Sequence, residues 1–527
     1  MSPARAYLAH GRLGERLADL SAETERLRAH FAAHGAEDVE PAALQPADLL
    51  LDLYGEDLRA RAFVTEDPVD GDLILRPEFT APVALLHRSR DAEAPARYAY
   101  CGTVWRRQAP GSLRPTEFLQ AGVEALGDAD KMEADAEIFA LIAGALAECG
   151  ALDVATGDMS IARSAIAGLA ICDRRKAMLR RHLWRPERFR QLLESYGAEA
   201  QAPTEARAAL LAAARAGDEA LAAHIAAAAP EAGLRGPEEI AARAAEILED
   251  ADAAPLPAAE IAFVEALLAV KGPSAEALER MRALCADAPA ALAGAVAPAM
   301  ERMARRLAAL KARGIDADAL PFDASFGRAL EYYDGFTFEF RAPDAPHLPP
   351  LGGGGRYDAL TVRLGLGAEG QGLAAVGGAV RPEAMLAARL GLAAPAPAAP
   401  AVHAPTAARL RLGVPSKGRL REATIDWFAA RGVSIEGAAS SREYSGKVSG
   451  IEGVDLVLLS AGEIPRELAA GRIDLGVTGT DLVHEKIPGW GGGGGPPPPP
   501  GVFPPPPPPS PPPPPLVLLD PPPPPPP

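Results

Sequence analysis

The sequence from residue 327 to residue 340, GRALEYYDGFTFEF, joins a strand pattern to a group of residues typical of a binding loop. Its end, from Phe336 to Phe340, alternates apolar and polar residues, which is the period-2 pattern of a half-buried strand. Arg328, two adjacent tyrosines and an Asp-Gly turn stand just before it. Only 5% of the chain is aromatic, so this concentration indicates a site at the start of the strand.

Length and composition bound what the chain can be. Its 527 residues suffice for two or three domains, and 48% hydrophobic residues exclude disorder as the general state. The 53 basic and 70 acidic residues give a formal net charge of −17, which repels phosphate backbones and argues against a nucleic-acid partner. The four cysteines are far apart, without metal-ligand spacing, so we expect reduced, packed thiols and no metal site.

The start of the sequence argues against export and membrane insertion. Charges occur throughout the first twenty residues, where a secretory signal needs an apolar core. No stretch approaches the roughly 18 consecutive apolar residues of a spanning helix. We therefore expect a soluble, cytoplasmic protein without a membrane partner.

The order of strand-like and helical patterns predicts an α+β domain over residues 1–392. Mixed elements fill residues 1–150, helix-forming sequence fills about 155–315, and strand signals return at 322–380. Helices inserted between two groups of strands indicate a sheet that is completed by distant segments.

The remaining sequence predicts three further regions. Residues 393–408 form a Pro/Ala linker, and residues 409–490 alternate strand and helix patterns that predict a parallel α/β unit. The Gly/Pro run at 491–527 predicts polyproline or disordered coil.

Polar residues in three separate strand-like segments form a candidate amino-acid pocket. Ionised Glu78 and Glu124 only accept hydrogen bonds, so they suit an ammonium group and imidazole nitrogens. Arg328 suits a carboxylate, which it can bind through two parallel hydrogen bonds. Taken singly, each such residue is more often an ordinary surface charge or core aromatic. The candidates are Glu78, Thr80, Gln120, Glu124, Arg328, Tyr332 and Tyr333.

The order and spelling of these segments resemble the class II histidyl-tRNA synthetase catalytic domain. RPEFT (76–80) resembles its RPE-G-T motif, VWRRQ (104–108) its motif 2, and EFLQAGVE (117–124) the strand that follows. RALEYYDGFTFEF and GGGRYD resemble its two histidine-specific motifs. The resemblance covers about residues 1–390 and implies a class II antiparallel sheet with helices. It implies histidine contacts at Glu78, Thr80, Arg106, Gln120, Glu124, Arg328, Tyr332 and Tyr333.

Two departures from the synthetase motifs weaken the ATP side of the site. Motif 2 of the synthetases reads roughly F-R-x-E, and Gln108 stands where the glutamate belongs. Motif 3 aligns with GGAVRPEAM (377–385), which puts Ala384 where the adenine-contacting arginine belongs. Adenylation needs groups that stabilise developing phosphate charge. We therefore expect recognition of histidine without charging of tRNA.

A synthetase-like histidine binder without an evident anticodon-binding domain resembles the regulatory subunits of ATP phosphoribosyltransferase, the first enzyme of histidine biosynthesis. The segment 174–197, RRKAMLRRHLWRPERFRQLLESYG, also resembles that family. From its residues alone, this segment is equally well interpreted as a basic amphipathic helix.

A second candidate site lies after the linker. RLRLGVPSKGRLREATIDWFAARG (409–432) predicts a strand, a tight turn and a helix, and Lys417, Gly418 and Arg419 at the helix start suit an anion. Residues 409–488 resemble the N-terminal domain of the short-form catalytic subunit of the transferase, which implies a periplasmic-binding-protein-like α/β fold. The family's acidic loop for phosphoribosyl pyrophosphate has no match, so we expect no autonomous catalysis.

These resemblances imply a regulatory subunit joined to a partial catalytic domain. Its implied partners are catalytic subunits in a hetero-oligomer, L-histidine as effector and a second copy in a dimer. No cofactor is predicted for the chain itself. A requirement for Mg²⁺ in the assembled transferase is left as an alternative. Two alternatives also stay open: an active histidyl-tRNA synthetase and a bifunctional regulatory and catalytic transferase.

Overall fold

The chain divides into two compact units, residues 1–221 with 242–402, and residues 222–241 with 403–527. Among the described residues, no helix combines the length and apolar composition needed to cross a bilayer. The computed structural model describes residues 12, 14–53, 61–67, 69, 71–90, 93–108, 112, 114–183, 185–198, 205–228, 237–327, 332–391, 410–415, 419–437, 445–451, 454–459, 462–469, 473–479 and 482–483.

Two sheets precede the linker. The strands are β1 Glu37–Asp38, β2 Leu44–Pro46, β3 Phe63–Asp67, β4 Gly71–Leu75, β5 Ala96–Trp105, β6 Glu117–Leu126, β7 Asp153–Asp158, β8 Lys271–Pro273, β9 Pro321–Asp323, β10 Phe336–Arg341, β11 Gly352–Arg356 and β12 Ala375–Val380. Nine of them form one sheet in the order β1-β5-β6-β12-β11-β10-β7-β9-β8, and β2-β4-β3 form a small antiparallel sheet.

The middle of the large sheet is antiparallel, as predicted. Every neighbouring pair from β5 to β7 runs antiparallel, while β1 pairs parallel with β5 and β9 pairs parallel with β7. Strands that are far apart in the chain, such as β6 and β12, lie side by side. Distant segments therefore complete the sheet and bring the candidate site residues together.

Helices cover the sheet and fill the predicted helical region. The helices before the linker are α1 Glu15–Ala33, α2 Ala47–Leu53, α3 Thr80–Arg90, α4 Lys131–Ala145, α5 Met159–Gly168, α6 Asp173–His182, α7 Pro186–Ser195, α8 Glu205–Ala216, α9 Asp218–Ala228, α10 Pro237–Asp252, α11 Ala258–Leu268, α12 Ser274–Ala286, α13 Ala290–Ala312, α14 Asp358–Arg363 and α15 Pro382–Arg389. Two 3₁₀ turns span Ala147–Cys149 and Ala368–Gly370. The helices from α5 to α13 lie between β7 and β9 in sequence, interrupted among described residues only by the short strand β8.

The opening stretch forms a strand, as its alternation predicts. β10 is Phe336–Arg341, and its three phenylalanines are buried. Their rings lie 5.1–6.1 Å from the ring of Phe139 on α4. This aromatic cluster fixes β10 against α4.

β11 contains glycines where β-branched or aromatic residues are usual, because neighbouring backbone and ring atoms leave no space for side chains there. A Cβ at Gly354 would lie 2.1 Å from the carbonyl oxygen of Gly377 and 2.8 Å from the ring of Phe338. A side chain at Gly355 would meet the ring of Tyr333 at 2.8 Å. Packing around the site therefore overrides the low strand propensity of glycine.

The second unit contains a five-stranded sheet in the order β14-β15-β16-β13-β17. The sequence predicts a parallel α/β unit, and the structure corrects this for part of the sheet. β16, β13 and β17 run parallel, but β14 and β15 pair antiparallel because only residues 438–444 separate them, too few for a parallel crossover. Its elements are β13 Leu410–Pro415, α16 Arg419–Ala429, β14 Ser434–Gly437, β15 Ser445–Ser449, β16 Val454–Leu459, α17 Ile464–Ala469 and β17 Leu475–Gly476.

Candidate functional site

The carboxylate of Glu124 is the centre of the candidate pocket. Glu124 lies on β6, is 1% exposed, and faces three hydroxyl groups from three other parts of the chain. Thr80 donates to Oε1 at 2.8 Å, Tyr100 donates to Oε1 at 3.2 Å, and Tyr357 donates to Oε2 at 2.5 Å. Neutral hydroxyls satisfy part of the hydrogen-bonding capacity of the carboxylate without compensating its charge.

Burial raises the pKa of Glu124 to about 8. The negative charge of Glu78 raises this pKa further, while the hydrogen bonds from Tyr357, Thr80 and Tyr100 lower it. The carboxyl group is therefore poised between its neutral and ionised forms near neutral pH, which is common at functional sites. A cationic group or an N–H donor brought into the pocket would favour the ionised form.

A glycine on the neighbouring strand makes room for this carboxylate. Gly377 of β12 lies directly opposite Glu124 in the sheet. A Cβ at Gly377 would lie 1.7 Å from Oε2 of Glu124, so no other residue fits without displacing the carboxylate. Gly122 has a similar role, since its Cβ would lie 2.5 Å from the hydroxyl of Tyr100.

The second predicted acid, Glu78, is 1% exposed and lies at the start of α3. Its two oxygens accept the backbone N–H groups of Thr80 and Ala81, the latter at 3.1 Å. Glu78 therefore caps the helix that carries Thr80.

Gln120 is on the same strand as Glu124, four residues earlier, so both side chains lie on one face of the sheet. Its Oε1 atom is buried and has no hydrogen-bond partner among the described residues. A buried amide oxygen without a donor is costly. A ligand donor in the pocket would satisfy it.

Aromatic residues enclose the site. Tyr332 is buried, and its ring centroid lies 4.8 Å from that of Tyr333 and 6.0 Å from that of Tyr357. The Tyr332 hydroxyl lies 3.5 Å from Thr80 Oγ1, to which it donates. Burial raises the pKa of Tyr332, Tyr357 and Tyr100 well above the usual value, so their hydroxyls stay protonated donors.

Of the two predicted site arginines, the structure describes Arg106. Nε of Arg106 donates to the carbonyl oxygen of Pro77 at 2.7 Å, and the guanidinium carbon lies 5.5 Å from the ring centroid of Phe118. Arg106 thus lies beside the residues that precede Glu78. Arg328 lies outside the described residues.

The sequence interpretation did not include Tyr100, Tyr357 or Gly377 among the site residues. Tyr357 follows Arg356 in the quoted GGGRYD segment, and Gly377 begins the quoted motif 3 alignment, so both were near a recognised motif. Tyr100 alternates with Ala99 along β5, and its ring stacks on Phe79 with centroids 4.3 Å apart. Only the pairing of β5, β6, β12 and β11 brings these three residues to Glu124.

Comparisons with known proteins indicate the family of this chain. The family model described as Histidyl-tRNA synthetase matches residues 11–256 and 238–385. An ATP phosphoribosyltransferase regulatory subunit of Mesorhizobium japonicum is 36% identical over 349 residues, which cover 64% of this chain and 89% of that protein. One of Brucella canis is 38% identical over 349 residues, which cover 64% and 90%. The chain belongs to the ATP phosphoribosyltransferase regulatory subunit family.

A solved structure agrees with this assignment at the level of the fold. A protein from Bacillus halodurans, described as an ATP phosphoribosyltransferase regulatory subunit/histidyl-tRNA synthetase, matches with a TM-score of 0.50 at 20% identity. The match covers 90% of this chain and 94% of that chain. The class II synthetase-like α+β fold predicted from the motifs is thereby confirmed for this member of the regulatory subunit family.

The positions that depart from the synthetase motifs have local structural partners. Nε2 of Gln108 donates to the carbonyl oxygens of Pro115 at 2.9 Å and Arg106 at 3.3 Å, and Arg61 donates to its Oε1 at 3.2 Å. Ala384 is buried in α15. In this family member, Gln108 tethers its own loop, and Ala384 carries no charge toward a nucleotide.

The candidate anion site of the second unit is only partly described. Lys417 and Gly418 lie outside the described residues, and for Arg419 the backbone alone is described, as the first residue of α16. The preceding strand β13 lies between β16 and β17, with which it runs parallel. The predicted turn therefore follows a central strand of this sheet.

The sequence predicts reduced, packed thiols at the four cysteines and no metal site. Within the part of the chain that the structure describes, no group of three or more His, Cys, Asp or Glu side chains is placed to hold a metal ion. All four cysteines are free thiols. Three are partly buried, but Cys172 is exposed, so the prediction of a packed thiol is wrong at that position because it immediately precedes the surface helix α6.

Proposed function

We propose that this chain binds free L-histidine in the pocket around Glu124 and relays histidine concentration to catalytic subunits of ATP phosphoribosyltransferase. The observation that carries the proposal is the buried Glu124 carboxylate, whose partners among the described residues are hydroxyl groups and include no cation. An imidazole N–H or an ammonium group would complete this set of partners. The unpartnered Oε1 of Gln120 supports a second ligand N–H at the same site.

The other predicted residues have complementary roles in this proposal. Glu78 and Thr80, at the N-terminal end of α3, lie beside Glu124 of β6. Tyr332 and Tyr333 contact the imidazole ring of the ligand. Arg328 binds the ligand carboxylate. The proposed histidine contacts are Glu78, Thr80, Arg106, Gln120, Glu124, Arg328, Tyr332 and Tyr333.

Family membership supports assembly with a catalytic subunit, because the relatives are named regulatory subunits. In this proposal the chain activates the catalytic subunits of a hetero-oligomer, and histidine favours the inhibited state. Such coupling is reciprocal, so substrate binding must weaken histidine binding. The complex works in the cytoplasm, the chain pairs with a second copy, and Mg²⁺ belongs to the reaction of the assembled transferase.

We also propose a division of the chain into four regions. Residues 1–392 form the regulatory domain, 393–408 the linker, 409–490 a partial periplasmic-binding-protein-like catalytic domain, and 491–527 a disordered proline-rich tail. The parallel strands β16, β13 and β17 support an α/β character for the third region. Lys417, Gly418 and Arg419 form its anion site.

The proposal is tested by measuring phosphoribosyl-ATP formation from ATP and phosphoribosyl pyrophosphate. The purified chain is assayed alone and with a separately supplied short-form catalytic subunit, each with and without histidine. We expect activity only in the mixture, inhibited by histidine. Activity of the chain alone would establish a bifunctional transferase instead, and histidine-dependent exchange of pyrophosphate into ATP would establish a synthetase.

The histidine pocket is tested separately by calorimetry with the chain alone. Replacing Arg328 by alanine removes the proposed carboxylate partner and should abolish histidine binding while leaving assembly with the catalytic subunit intact. Unchanged histidine affinity of Arg328→Ala would contradict the assignment of this residue.

A further inference from the structure

The segment 174–190 is strongly basic in an acidic chain. It contains eight arginine or lysine residues and one acid, Glu187, for a formal charge of +7, so the rest of the chain carries −24. A local reversal of charge on this scale creates a positive surface potential that selects partners by charge. The segment runs from the second residue of α6 to the fifth residue of α7.

The positively charged side chains in the first turn of α6 contact other residues of the same chain. Arg174 pairs with Glu246 at 2.9 Å, and Arg175 pairs with Asp250 at 2.7 Å. Lys176 donates to a backbone carbonyl oxygen at 2.8 Å. These residues fasten α6 to neighbouring structure, so their charged groups already have partners within the chain.

Four other arginines remain exposed, and we call them the basic corner: Arg180, Arg181, Arg188 and Arg190. Arg180 and Arg181 have no hydrogen bond or ion pair among the described residues, while Arg188 and Arg190 have only 3.5 Å contacts within α7. Because α6 ends at His182 and α7 begins at Pro186, all four lie within about 6 Å of this corner along a helix axis.

Helix electrostatics explains only half of this cluster. Positive residues in the last turn of a helix are favoured by its dipole, which accounts for Arg180 and Arg181. Arg188 lies in the first turn of α7, where the dipole disfavours positive charge, and Arg190 lies beyond that turn. The dipole therefore does not account for the two arginines of α7.

The surroundings of the corner favour a protein partner over a nucleic acid. Single-stranded nucleic acids need exposed aromatic rings for base stacking, but the aromatic residues of this region that the structure describes, Phe189 and Tyr196, are both buried, and Trp184 lies outside the described residues. The −24 charge on the rest of the chain would also repel a long polyanion. A compact carboxylate-rich protein face can contact the corner alone, and arginine forks pair well with carboxylates.

We propose that the basic corner docks an acidic face of the transferase catalytic subunit. This inference rests on the proposed function, which supplies the partner. Arginine charges steer association and fix the orientation of the partner, so the contact should depend strongly on salt.

The test compares two charge-reversal variants of the full chain. Arg180→Glu with Arg181→Glu reverses the two corner arginines that have no internal partner. The control, Arg16→Glu with Arg282→Glu, makes the same charge change on exposed positions of α1 and α12, where Arg282 has only an exposed pair with Glu279. Affinity for the separately supplied catalytic subunit is measured by calorimetry at low and high salt, and histidine affinity of the chain alone reports correct folding.

We expect the corner variant to bind the catalytic subunit about tenfold or more weakly at low salt, with little remaining salt dependence. The control should bind like the unmodified chain, and both variants should bind histidine normally. Unchanged affinity of the corner variant overturns the proposal. The proposal is also overturned if the unmodified chain binds a single-stranded RNA oligomer and the corner variant does not. That result would assign the basic corner to nucleic acid. If the unmodified chain binds histidine but no catalytic subunit, assembly in the proposed function fails and the docking proposal fails with it.

Discussion

Two buried carboxylates in the same domain have opposite surroundings. Glu124 is 1% exposed and Asp135 is 0% exposed. Asp135, on α4, accepts from Arg356 at 2.8 Å and lies 3.5 Å from a guanidinium nitrogen of Arg306. Glu124 has hydroxyl donors alone among its described partners. The charge of Asp135 is therefore compensated inside the protein, while that of Glu124 is not.

This difference separates a structural network from a binding site. Arg306 also pairs with Asp158 at 2.7 Å, and Arg356 pairs with Asp358 at 2.9 Å, so each buried guanidinium near Asp135 contacts two carboxylates. Such a network is complete without a ligand. A buried carboxylate that faces only hydroxyls stays costly to ionise until a ligand supplies an N–H group or a positive charge.

The two regions meet in consecutive residues. Arg356 at the end of β11 bonds to Asp135, and Tyr357, the next residue, donates to Glu124. Adjacent residues in extended chain direct their side chains to opposite sides. The ionic network therefore holds the backbone that presents Tyr357 to the pocket.

The largest expected effect is the loss of the ionic network. Replacing Asp135 by alanine leaves Arg306 and Arg356 buried with one carboxylate each, which should lower the free energy of unfolding by about 3 kcal/mol. The control Asp318→Ala breaks an exposed pair with Lys311 and should cost less than about 1 kcal/mol. Urea unfolding followed by circular dichroism measures both. Equal small losses would mean that the buried network contributes no more than a surface pair.

The next effect concerns the space for Glu124. Gly377→Ala puts a methyl group where Oε2 now lies, so the carboxylate must move and histidine affinity should fall by about a hundredfold. Gly294→Ala is the matched control, because a Cβ at Gly294 on α13 has no atom within 4 Å. Calorimetry measures histidine binding, and a thermal melt checks folding. Normal affinity in Gly377→Ala would show that Glu124 does not need its present position.

Sequence patterns predicted much of this fold but, of the three hydroxyl donors to Glu124, only Thr80. The alternation of β10, the helical region and the antiparallel synthetase-like sheet follow from local periodicity and motif order. Tyr100 and Gly377 could not be predicted as site residues, because their role depends on which strands become neighbours. The antiparallel pairing of β14 and β15 was also missed, since hydrophobic periodicity does not encode strand direction.

The third prediction concerns protonation of Glu124. Its pKa of about 8 lies above the reference 4.5, so the folded protein holds a proton that the unfolded chain releases between these values. This group therefore makes stability fall as pH rises from about 4.5 to about 8. Glu124→Gln should remove this contribution in urea unfolding measured across that range. An identical pH dependence in both proteins would contradict the burial of a protonated carboxyl.

The same pKa predicts that histidine binding releases a proton. Between pH 7 and pH 8, where free imidazole is largely neutral, an N–H donor from the ligand favours ionised Glu124 and expels its proton. Calorimetry in two buffers of different ionisation enthalpy should detect up to one proton released per histidine, and none with Glu124→Gln. Proton-neutral binding by the unmodified chain would mean that Glu124 keeps its protonation state.

The smallest effect distinguishes the hydroxyls that surround Glu124. Tyr357 donates at 2.5 Å and Tyr100 at 3.2 Å, so removal of the Tyr357 hydroxyl should cost more free energy of unfolding. We expect about 1.5 kcal/mol for Tyr357→Phe and about 0.5 kcal/mol for Tyr100→Phe by urea unfolding. Each substitution serves as the control for the other because both remove one buried hydroxyl. Repeating both in Glu124→Gln isolates the carboxylate, since a difference that persists there would arise from ring packing and not from the hydrogen bonds.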